Sequence, residues 1–132
     1  VLIPRASFQQ VLLNLCINAA EAIGPRPGNI RLRTSLDVFN QEELRTMVGG
    51  EMLPGGSYAV IDLSDDGHGI PVSAIPRVFD PFFTTKFVGR GLGLAAVRGI
   101  VTAAHGALSV TSEAGRGATF RLVLPLSARA YL

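Results

Sequence analysis

The strongest periodic pattern of the chain lies in its first 23 residues. Apolar residues recur there at the three- and four-residue spacing of a helix: Phe8, Val11, Leu12, Leu15, Ala19, Ala22 and Ile23. Ser7 and Gln10 form a capping-box pattern just before this run. Gly24-Pro25 follows it, and glycine readily adopts the left-handed cap whereas proline cannot continue the helix. The pattern predicts a helix from about Phe8 to Ile23.

The rest of the chain mixes strand and helix patterns. Asn29 to Val38 alternates apolar and polar residues, which predicts a half-buried strand, and Ser57 to Ser64 is apolar enough for a central strand. Asn40-Gln41-Glu42-Glu43 is a second capping-box pattern, which predicts a short helix over Glu43 to Val48. One or two helical turns are expected within Pro71 to Val78, and a helix over Leu92 to Ala104. The last two predicted strands are Ala107 to Ser112 and Ala118 to Leu124, joined by a hairpin-type turn.

This order of elements predicts an α/β (α+β) two-layer sandwich. The expected sheet is mixed but largely antiparallel, with helices on one face. The glycine-rich stretch between the central strand and the second long helix is then a long loop on the helical side, and long ordered loops usually have a function.

Composition restricts the class of protein. The 132 residues suit a single domain, 48% are hydrophobic and 17% are charged, and the net charge is only +2, without a basic stripe for nucleic acid. No apolar run approaches the roughly 20 residues that span a bilayer. A single cysteine, Cys16, forms no internal disulfide, so we expect a cytoplasmic setting and a packing role for this side chain. Because the chain begins at Val1 without methionine, we expect a piece of a longer protein.

Two asparagines on the first helix have two interpretations. Asn14 and Asn18 are four residues apart and share one face, with Glu21 near the same edge. They could be core polar residues bonded to neighbouring backbone. Alternatively, Asn18 could offer its oxygen to a Mg²⁺ ion held mostly by water and phosphate oxygens.

Two glycine clusters also suit a nucleotide. In Asp65-Asp66-Gly67-His68-Gly69, a carboxylate ends a buried strand and glycines allow close approach of a ligand, so the carboxylate could accept a hydrogen bond from an adenine amino group. The alternative is an ordinary Asp-Gly turn. Gly89 to Leu94 leads into a helix whose free amides suit phosphate, although it could equally be a hinge and lacks the Lys-Ser/Thr of a P-loop.

Taken in order, these motifs resemble the ATP-binding catalytic domain of two-component sensor histidine kinases. This group belongs to a wider family with type II topoisomerases, heat-shock chaperone ATPases and mismatch-repair ATPases. The resemblance covers nearly the whole chain, so we treat residues 1–132 as a single domain of this type. Asn14 to Ala22 matches the N box, and Phe79 to Lys86 matches the phenylalanine box. The first, second and third glycine boxes are matched by Asp65 to Gly69, Gly89 to Leu94 and Gly115 to Phe120.

The resemblance implies ATP and Mg²⁺ as cofactors and a role for each matching residue. Asn18 would coordinate Mg²⁺, Asn14 would lie near the phosphates, and Asp65 would bind the adenine amino group. The other implied ATP-binding residues, some of them in a lid loop over the nucleotide, are Ala22, Gly67, Gly69, Ile70, Lys86, Arg90, Gly91, Leu92, Gly93, Leu94 and Thr119.

Three positions depart from the family pattern. Arg90 stands where Thr is frequent, Ala118 stands where a Thr or Ser commonly reaches the adenine site, and Pro4 replaces an Asp that often precedes the first helix. Arg90 could strengthen phosphate contacts. Ala118 puts one adenine contact in question.

The reaction is inferred from one residue of the N box. ATP-hydrolysing relatives have a Glu four residues before the metal-binding Asn, and here that position is Asn14. A carboxamide cannot take a proton at neutral pH, which disfavours hydrolysis by a general base on this helix. Transfer of the γ-phosphoryl group to an imidazole mainly needs positioning and charge neutralisation. Neither His68 nor His105 looks like the acceptor, which the resemblance places on a separate upstream domain.

The same resemblance implies partners and a location. The expected partners are the upstream phosphoacceptor histidine domain, through whose helices the protein would dimerise, and a response regulator receiver domain. The expected location is the cytoplasm, or the cytoplasmic part of a membrane-bound sensor. A nucleotide-binding pseudokinase and an ATP-driven conformational switch stay open as alternatives, although the switch would need a Glu at the position that Asn14 occupies.

Overall fold

The computed structural model describes residues 3–81 and 93–126. The helices are α1 (Arg5–Ile23), α2 (Gln41–Arg45) and α3 (Gly93–Ala103), with a 3-10 helix at Val72–Arg77, and the strands are β1 (Ile30–Phe39), β2 (Gly56–Asp65), β3 (Ala107–Glu113) and β4 (Gly117–Pro125). None of the helices in this part of the chain is long and apolar enough to cross a membrane.

The four strands form one sheet in the order β1-β2-β4-β3, and each neighbouring pair is antiparallel. The β3–β4 hairpin turns through Gly115, whose φ of 81° is the left-handed conformation that glycine adopts easily. The predicted α/β sandwich with a largely antiparallel sheet is therefore confirmed.

The main core lies between this sheet and the two long helices. Leu15 of α1 and Val97 of α3 are fully buried, and they belong to one cluster with Leu63 of β2 and Phe120 of β4. Phe79 closes the cluster by meeting the Phe120 ring edge-on, with ring centroids 6.0 Å apart. The buried apolar residues of the two long helices and those of the sheet thus form a single apolar layer.

Two details of α1 differ from the prediction. The helix begins at Arg5 behind Pro4, which makes no side-chain cap, so the predicted capping box of Ser7 and Gln10 is wrong. Proline suits this position because the N–H groups at the start of a helix have no partner within the helix, so the missing N–H costs nothing. The Pro4 carbonyl accepts the first helical hydrogen bond, from the Phe8 amide at 3.0 Å. Cys16 is exposed on the solvent flank of α1, so the predicted packing role is also wrong.

A second apolar cluster lies on the opposite face of the sheet. Leu44 of α2 is fully buried there against Tyr58 and Val60 of β2, so helices do not cover one face only. The predicted capping box is confirmed, since the Asn40 side chain accepts from the Glu43 amide at 2.8 Å and the Glu43 side chain accepts from the Asn40 amide at 2.9 Å.

The segment after α2 reaches the far edge of the sheet. The helix ends at Arg45, earlier than predicted, and Val48 exchanges backbone hydrogen bonds of 2.8 and 2.9 Å with Leu108 of β3. Residues 40–55 therefore cross the outer face of the sheet from the end of β1 to the edge at β3.

The prediction of a half-buried β1 is wrong. Leu32, Leu36 and Val38 are 56%, 69% and 74% exposed although they lie on the face that the helices cover elsewhere. The reason is position, because β1 is the edge strand and α1 packs mainly over β2 and against α3. Alternation identified the strand correctly but not the layer above it.

The second cluster generates a stability prediction. Replacing Leu44 by Ala removes a fully buried side chain and should cost about 2–5 kcal/mol of unfolding free energy, whereas Met52→Ala, at a side chain 89% exposed, should change it by less than about 0.5 kcal/mol. Urea unfolding of both variants measures the difference. Equal small effects would mean that the α2 segment does not form a packed core.

Candidate functional site

Strand β2 ends at a buried carboxylate, just before the glycine loop of residues 66–69, and one oxygen of this carboxylate has no hydrogen-bond partner among the described residues. Asp65 is only 8% exposed, and its Oδ1 accepts a hydrogen bond from the Gly67 amide at 2.9 Å. Its Oδ2 is buried and has no hydrogen-bond partner among the described residues. Because an unpaired buried acceptor is costly, this oxygen points to a donor that a ligand supplies.

The same loop is seated closely on the last turn of α1. A Cβ at Gly67 would lie 2.6 Å from both the carbonyl carbon and the carbonyl oxygen of Ala22, so only glycine fits there. The His68 amide donates to the Ala22 carbonyl at 3.1 Å. The structure therefore brings Ala22, Gly67 and Asp65 together.

The other side of the loop is held by the β3–β4 hairpin. Gly69 has a φ of 76°, and a Cβ there would overlap the carbonyl oxygen of Glu113. The Ile70 amide donates to the Ser112 hydroxyl at 2.6 Å, and the Gly115 amide donates to the His68 carbonyl at 2.7 Å. The loop is thus clamped between α1 and the hairpin.

Two residues of this clamp were not predicted as part of the site. A Cβ at Gly117 would overlap the Asp65 carbonyl oxygen, and the Ser112 hydroxyl donates to the Gly117 carbonyl at 2.9 Å while it accepts from Ile70. Gly117 was recognisable in the sequence as a turn residue, but its approach to Asp65 depends on the pairing of β2 with β4. Ser112 carries no sequence signal.

The opposite end of the same flank of α1 meets the start of α3. The Asn14 Nδ2 group donates to the Gly93 carbonyl at 3.1 Å, and its Oδ1 accepts from the Gln10 Nε2 group at 2.8 Å. Gly93 is the first residue of α3, where the free amides and the positive end of the helix dipole favour an anion. Leu94 packs on the main core beside it.

Asn18 lies between these two ends. It is one turn from Asn14 and one turn from Ala22, so about 6 Å of helix axis separates it from each. Asn18 is half-buried, and its side chain forms no hydrogen bond with another described residue. Asn14, Asn18 and Ala22 therefore form a line of about 12 Å from the start of α3 to the buried carboxylate.

Thr119 is not brought to this line. Its hydroxyl lies 2.8 Å from that of Ser64, and both belong to the sheet face opposite Asp65. Ala118, one residue earlier, is buried on the Asp65 side. Lys86, Arg90, Gly91 and Leu92 lie outside the described residues, as do most of the lid loop and the end of the phenylalanine box.

The neighbouring carboxylate is committed to other partners. Asp66 accepts hydrogen bonds from the Asn29 backbone amide at 2.9 Å and from the Asn29 side chain at 3.2 Å. These bonds hold the pKa of Asp66 below its ordinary value, and the bond from the backbone amide has the larger effect. Arg26 donates to the Asp66 carbonyl at 3.1 Å. Of the two adjacent carboxylates, only Asp65 keeps an oxygen for a ligand.

Comparison with known proteins identifies the family of this fold and site. Residues 4–128 match the family described as histidine kinase-, DNA gyrase B-, and HSP90-like ATPase. The chain belongs to this family. The resemblance carried by the five sequence motifs is thereby confirmed.

Individual relatives are sensor kinases. The chain is 40% identical over 121 residues to the sensor kinase CckA of Brucella abortus (strain 2308), an alignment that covers 89% of this chain and 12% of that protein. Curated relatives of this kind are much longer, and the chain spans from 12% to 32% of their length.

Solved structures of the family share the fold. The catalytic domain of histidine kinase ThkA, in a nucleotide-free form, has a TM-score of 0.68 and 28% identity, with 93% of this chain and 68% of that chain covered. Full-length ShkA in complex with AMPPNP has a TM-score of 0.66 and 27% identity, with 92% and 22% covered.

Proposed function

We propose that this domain binds Mg²⁺-ATP along the line from Asp65 to Gly93 and donates the γ-phosphoryl group to a histidine on a separate domain of a longer protein. The observation that carries the proposal is the unpaired buried Oδ2 of Asp65. Its supports are the family of the chain, the sensor kinases among its relatives, and the AMPPNP complex of ShkA.

The adenine end of the site is built on Asp65. Its Oδ1 is occupied by the Gly67 amide, which fixes the plane of the carboxylate and leaves Oδ2 for the amino hydrogen of adenine. A hydrogen bond to a charged acceptor is stronger than a neutral one, and a purine that lacks the amino group would leave the oxygen unpaired. The site therefore favours adenine over guanine, whose ring carries a carbonyl at the same position.

The metal fits the middle of the line, at Asn18. Groups of three or more His, Cys, Asp or Glu side chains suited to a metal do not occur in residues 3–81 and 93–126, so the described part of the chain offers no all-protein cage. One carboxamide oxygen, from Asn18, suits Mg²⁺, which usually keeps several waters and nucleotide phosphate oxygens as ligands. When bound, the ion would offset the negative charge of the phosphates.

The phosphate end lacks a base on this flank of α1. Both polar atoms of the Asn14 carboxamide are engaged, with Gly93 and with Gln10, and a carboxamide takes no proton at neutral pH. Asn14 instead holds the start of α3 in place, where its free amides would meet the phosphates. This arrangement favours transfer to an external nucleophile, since transfer depends on positioning and charge rather than on activation of water.

The whole-protein partners follow from this reaction. The acceptor histidine would lie on an upstream helical domain, and a response regulator receiver domain would take the phosphoryl group from it. The cytoplasm supplies ATP and is the proposed location of the domain.

Asp65→Asn tests adenine recognition. With the side-chain oxygen still bonded to the Gly67 amide, the substitution places an NH₂ group, which cannot accept a hydrogen bond, where Oδ2 was. It should remove a charge-assisted bond worth roughly 1.5–3 kcal/mol and lower ADP affinity about ten- to a hundredfold. Calorimetric titration measures the affinity, and Asp66→Asn, at the adjacent carboxylate bonded to Asn29, is the matched control with a change below about threefold. An ADP affinity that is equal in wild type and Asp65→Asn would exclude Asp65 from the site.

Asn18→Ala tests the metal role separately. Because Asn18 is proposed to act only through Mg²⁺, this variant should lose about tenfold in affinity for Mg²⁺-ATP but change little for ADP in chelator. Asp65→Asn should weaken both. Thermal unfolding serves as the folding control, and equal losses with and without metal in a folded protein would contradict the metal role.

The reaction is tested on the domain joined to its native upstream helices. Incubation with Mg²⁺-ATP should give acid-labile phosphate on a histidine outside this chain, and the doubly substituted His68→Gln/His105→Gln protein should give the same product. The 132-residue chain alone should bind ATP with little phosphate release. Steady release at rates near or above about 1 s⁻¹, typical of enzyme turnover, would favour an ATP-driven switch instead.

A further inference from the structure

The hydroxyl group of Ser112 joins two segments of the candidate site. It accepts a hydrogen bond from the Ile70 amide at 2.6 Å and donates one to the Gly117 carbonyl at 2.9 Å. A serine hydroxyl has one proton to donate and lone pairs to accept with, so both functions of this group are in use. One of the two bonds stays within the β3–β4 hairpin, and the other crosses to the residue that follows the glycine loop.

The sheet places Ser112 close to the buried carboxylate. Leu108 and Val110 of β3 pack in the main core, and side chains alternate along a strand, so Ser112 lies on the same face as they do. Its cross-strand neighbour is Ala118, which is buried on the Asp65 side. A single residue of β4 therefore separates Ser112 from Asp65 on this face of the sheet.

Glycines allow the hairpin and the loop to lie in close contact around this hydroxyl. A Cβ at Gly69 would lie 3.1 Å from the Ser112 Oγ atom. A Cβ at Gly117 would overlap the carbonyl oxygen of Asp65. Segments approach this closely only where no side chain intervenes. A shift of the hairpin relative to the loop would therefore disturb the backbone at Asp65.

The loop carries the amide that orients the carboxylate, since the Gly67 amide donates to the Asp65 Oδ1 atom at 2.9 Å. On the hairpin side this loop is held by one backbone hydrogen bond, at the His68 carbonyl, and by the bond between the Ile70 amide and Ser112. Within residues 3–81 and 93–126, no other side chain of the hairpin is hydrogen-bonded to the loop. Ser112 is therefore the side chain through which the hairpin can control the position of the loop.

We propose that Ser112 is a positioning residue for adenine recognition, a role that rests on the proposed function of Asp65. Without the hydroxyl, the Ile70 amide loses its partner and this end of the loop is released from the hairpin. The Gly67 amide then no longer holds Oδ1 in one place, and the carboxylate can turn away from the adenine amino group. Ser112 acts through the loop and not by contact with the nucleotide.

The expected effect is a loss of base discrimination and not a general loss of affinity. An acceptor contributes fully only when it is held in the direction of its donor. The phosphates would bind at the other end of the line, near Gly93, so their contribution should stay. Removal of the Ser112 hydroxyl should therefore reduce the advantage of a base with an amino group over a base without one.

Calorimetric titration with two nucleotides tests this role. Wild type should bind ADP about ten- to a hundredfold more tightly than purine riboside diphosphate, an analogue that lacks the amino group. Ser112→Ala should lower the ADP affinity about tenfold and change the affinity for the analogue by less than about threefold. Ser109→Ala, the same substitution on the opposite face of β3, is the matched control and should leave both affinities unchanged.

A double variant supplies an independent measurement. Once the acceptor for the amino group is absent, Ser112 has nothing left to orient, so D65N/S112A should lose less than about threefold in ADP affinity beyond Asp65→Asn alone. Additive losses in a folded protein overturn the positioning role. A Ser112→Ala protein that lowers the affinity for both nucleotides equally, or for neither, also overturns it.

Amide hydrogen exchange of the ligand-free wild type needs no variant. Because Ser112 holds it, the Ile70 amide should exchange at least about tenfold more slowly than an unstructured amide, and free exchange overturns the role even if Ser112→Ala does not fold. A wild type without preference between ADP and the analogue would contradict the adenine site itself, and the role of Ser112 with it. A preference that is intact in both wild type and Ser112→Ala would contradict the role of Ser112 alone.

Discussion

The close contact between Gly67 and the last turn of α1 is the constraint on which the candidate site depends. A side chain at Gly67 would collide with the Ala22 carbonyl group, so the loop can lie this close only because the residue is glycine. The Gly67 amide then meets the Asp65 carboxylate and occupies one of its oxygens. The direction of the other oxygen therefore depends on where the helix ends as well as on the strand that carries Asp65.

Helix α1 also sets the spacing of the site. Its flank carries Asn14, Asn18 and Ala22 at successive turns, and both ends of this flank are attached, one to Gly93 of α3 and the other to the glycine loop. A helix is stiff along its axis, so the distance between the two attachments can vary little. A ligand that contacts both ends has to match this length.

Much of the fold could be predicted from the sequence, because helical periodicity and strand alternation depend on local chemistry. The predictions that were wrong concern features that depend on contacts with residues distant in the sequence. Leu32 and Leu36 alternate correctly, yet no helix in the described part of the chain covers them, and Cys16 lies on the flank of α1 that faces solvent. Ser7 has the right spacing for a cap, but the helix starts earlier, behind Pro4.

The candidate site divides in the same way. The carboxylate and the glycines were recognisable as motifs, and the glycine loop and α1 do come together. Thr119 illustrates the limit, because neighbouring residues of a strand point to opposite faces, and only the pairing of β4 with β2 decides that Ala118, not Thr119, faces Asp65. The position of a residue in a motif does not show on which face of the sheet its side chain lies.

The second apolar cluster lies at the end of the sheet away from the glycine loop. Val60 and Val123 belong to this cluster on the outer face, whereas Ser64 and Thr119, near Asp65, are bonded only to each other on that face. The central strands are thus enclosed on both sides at one end and on one side at the other. The packing that encloses the sheet on both sides thus lies away from the carboxylate and its clamped loop, so a ligand bound there meets the end of the sheet that is covered on one side only.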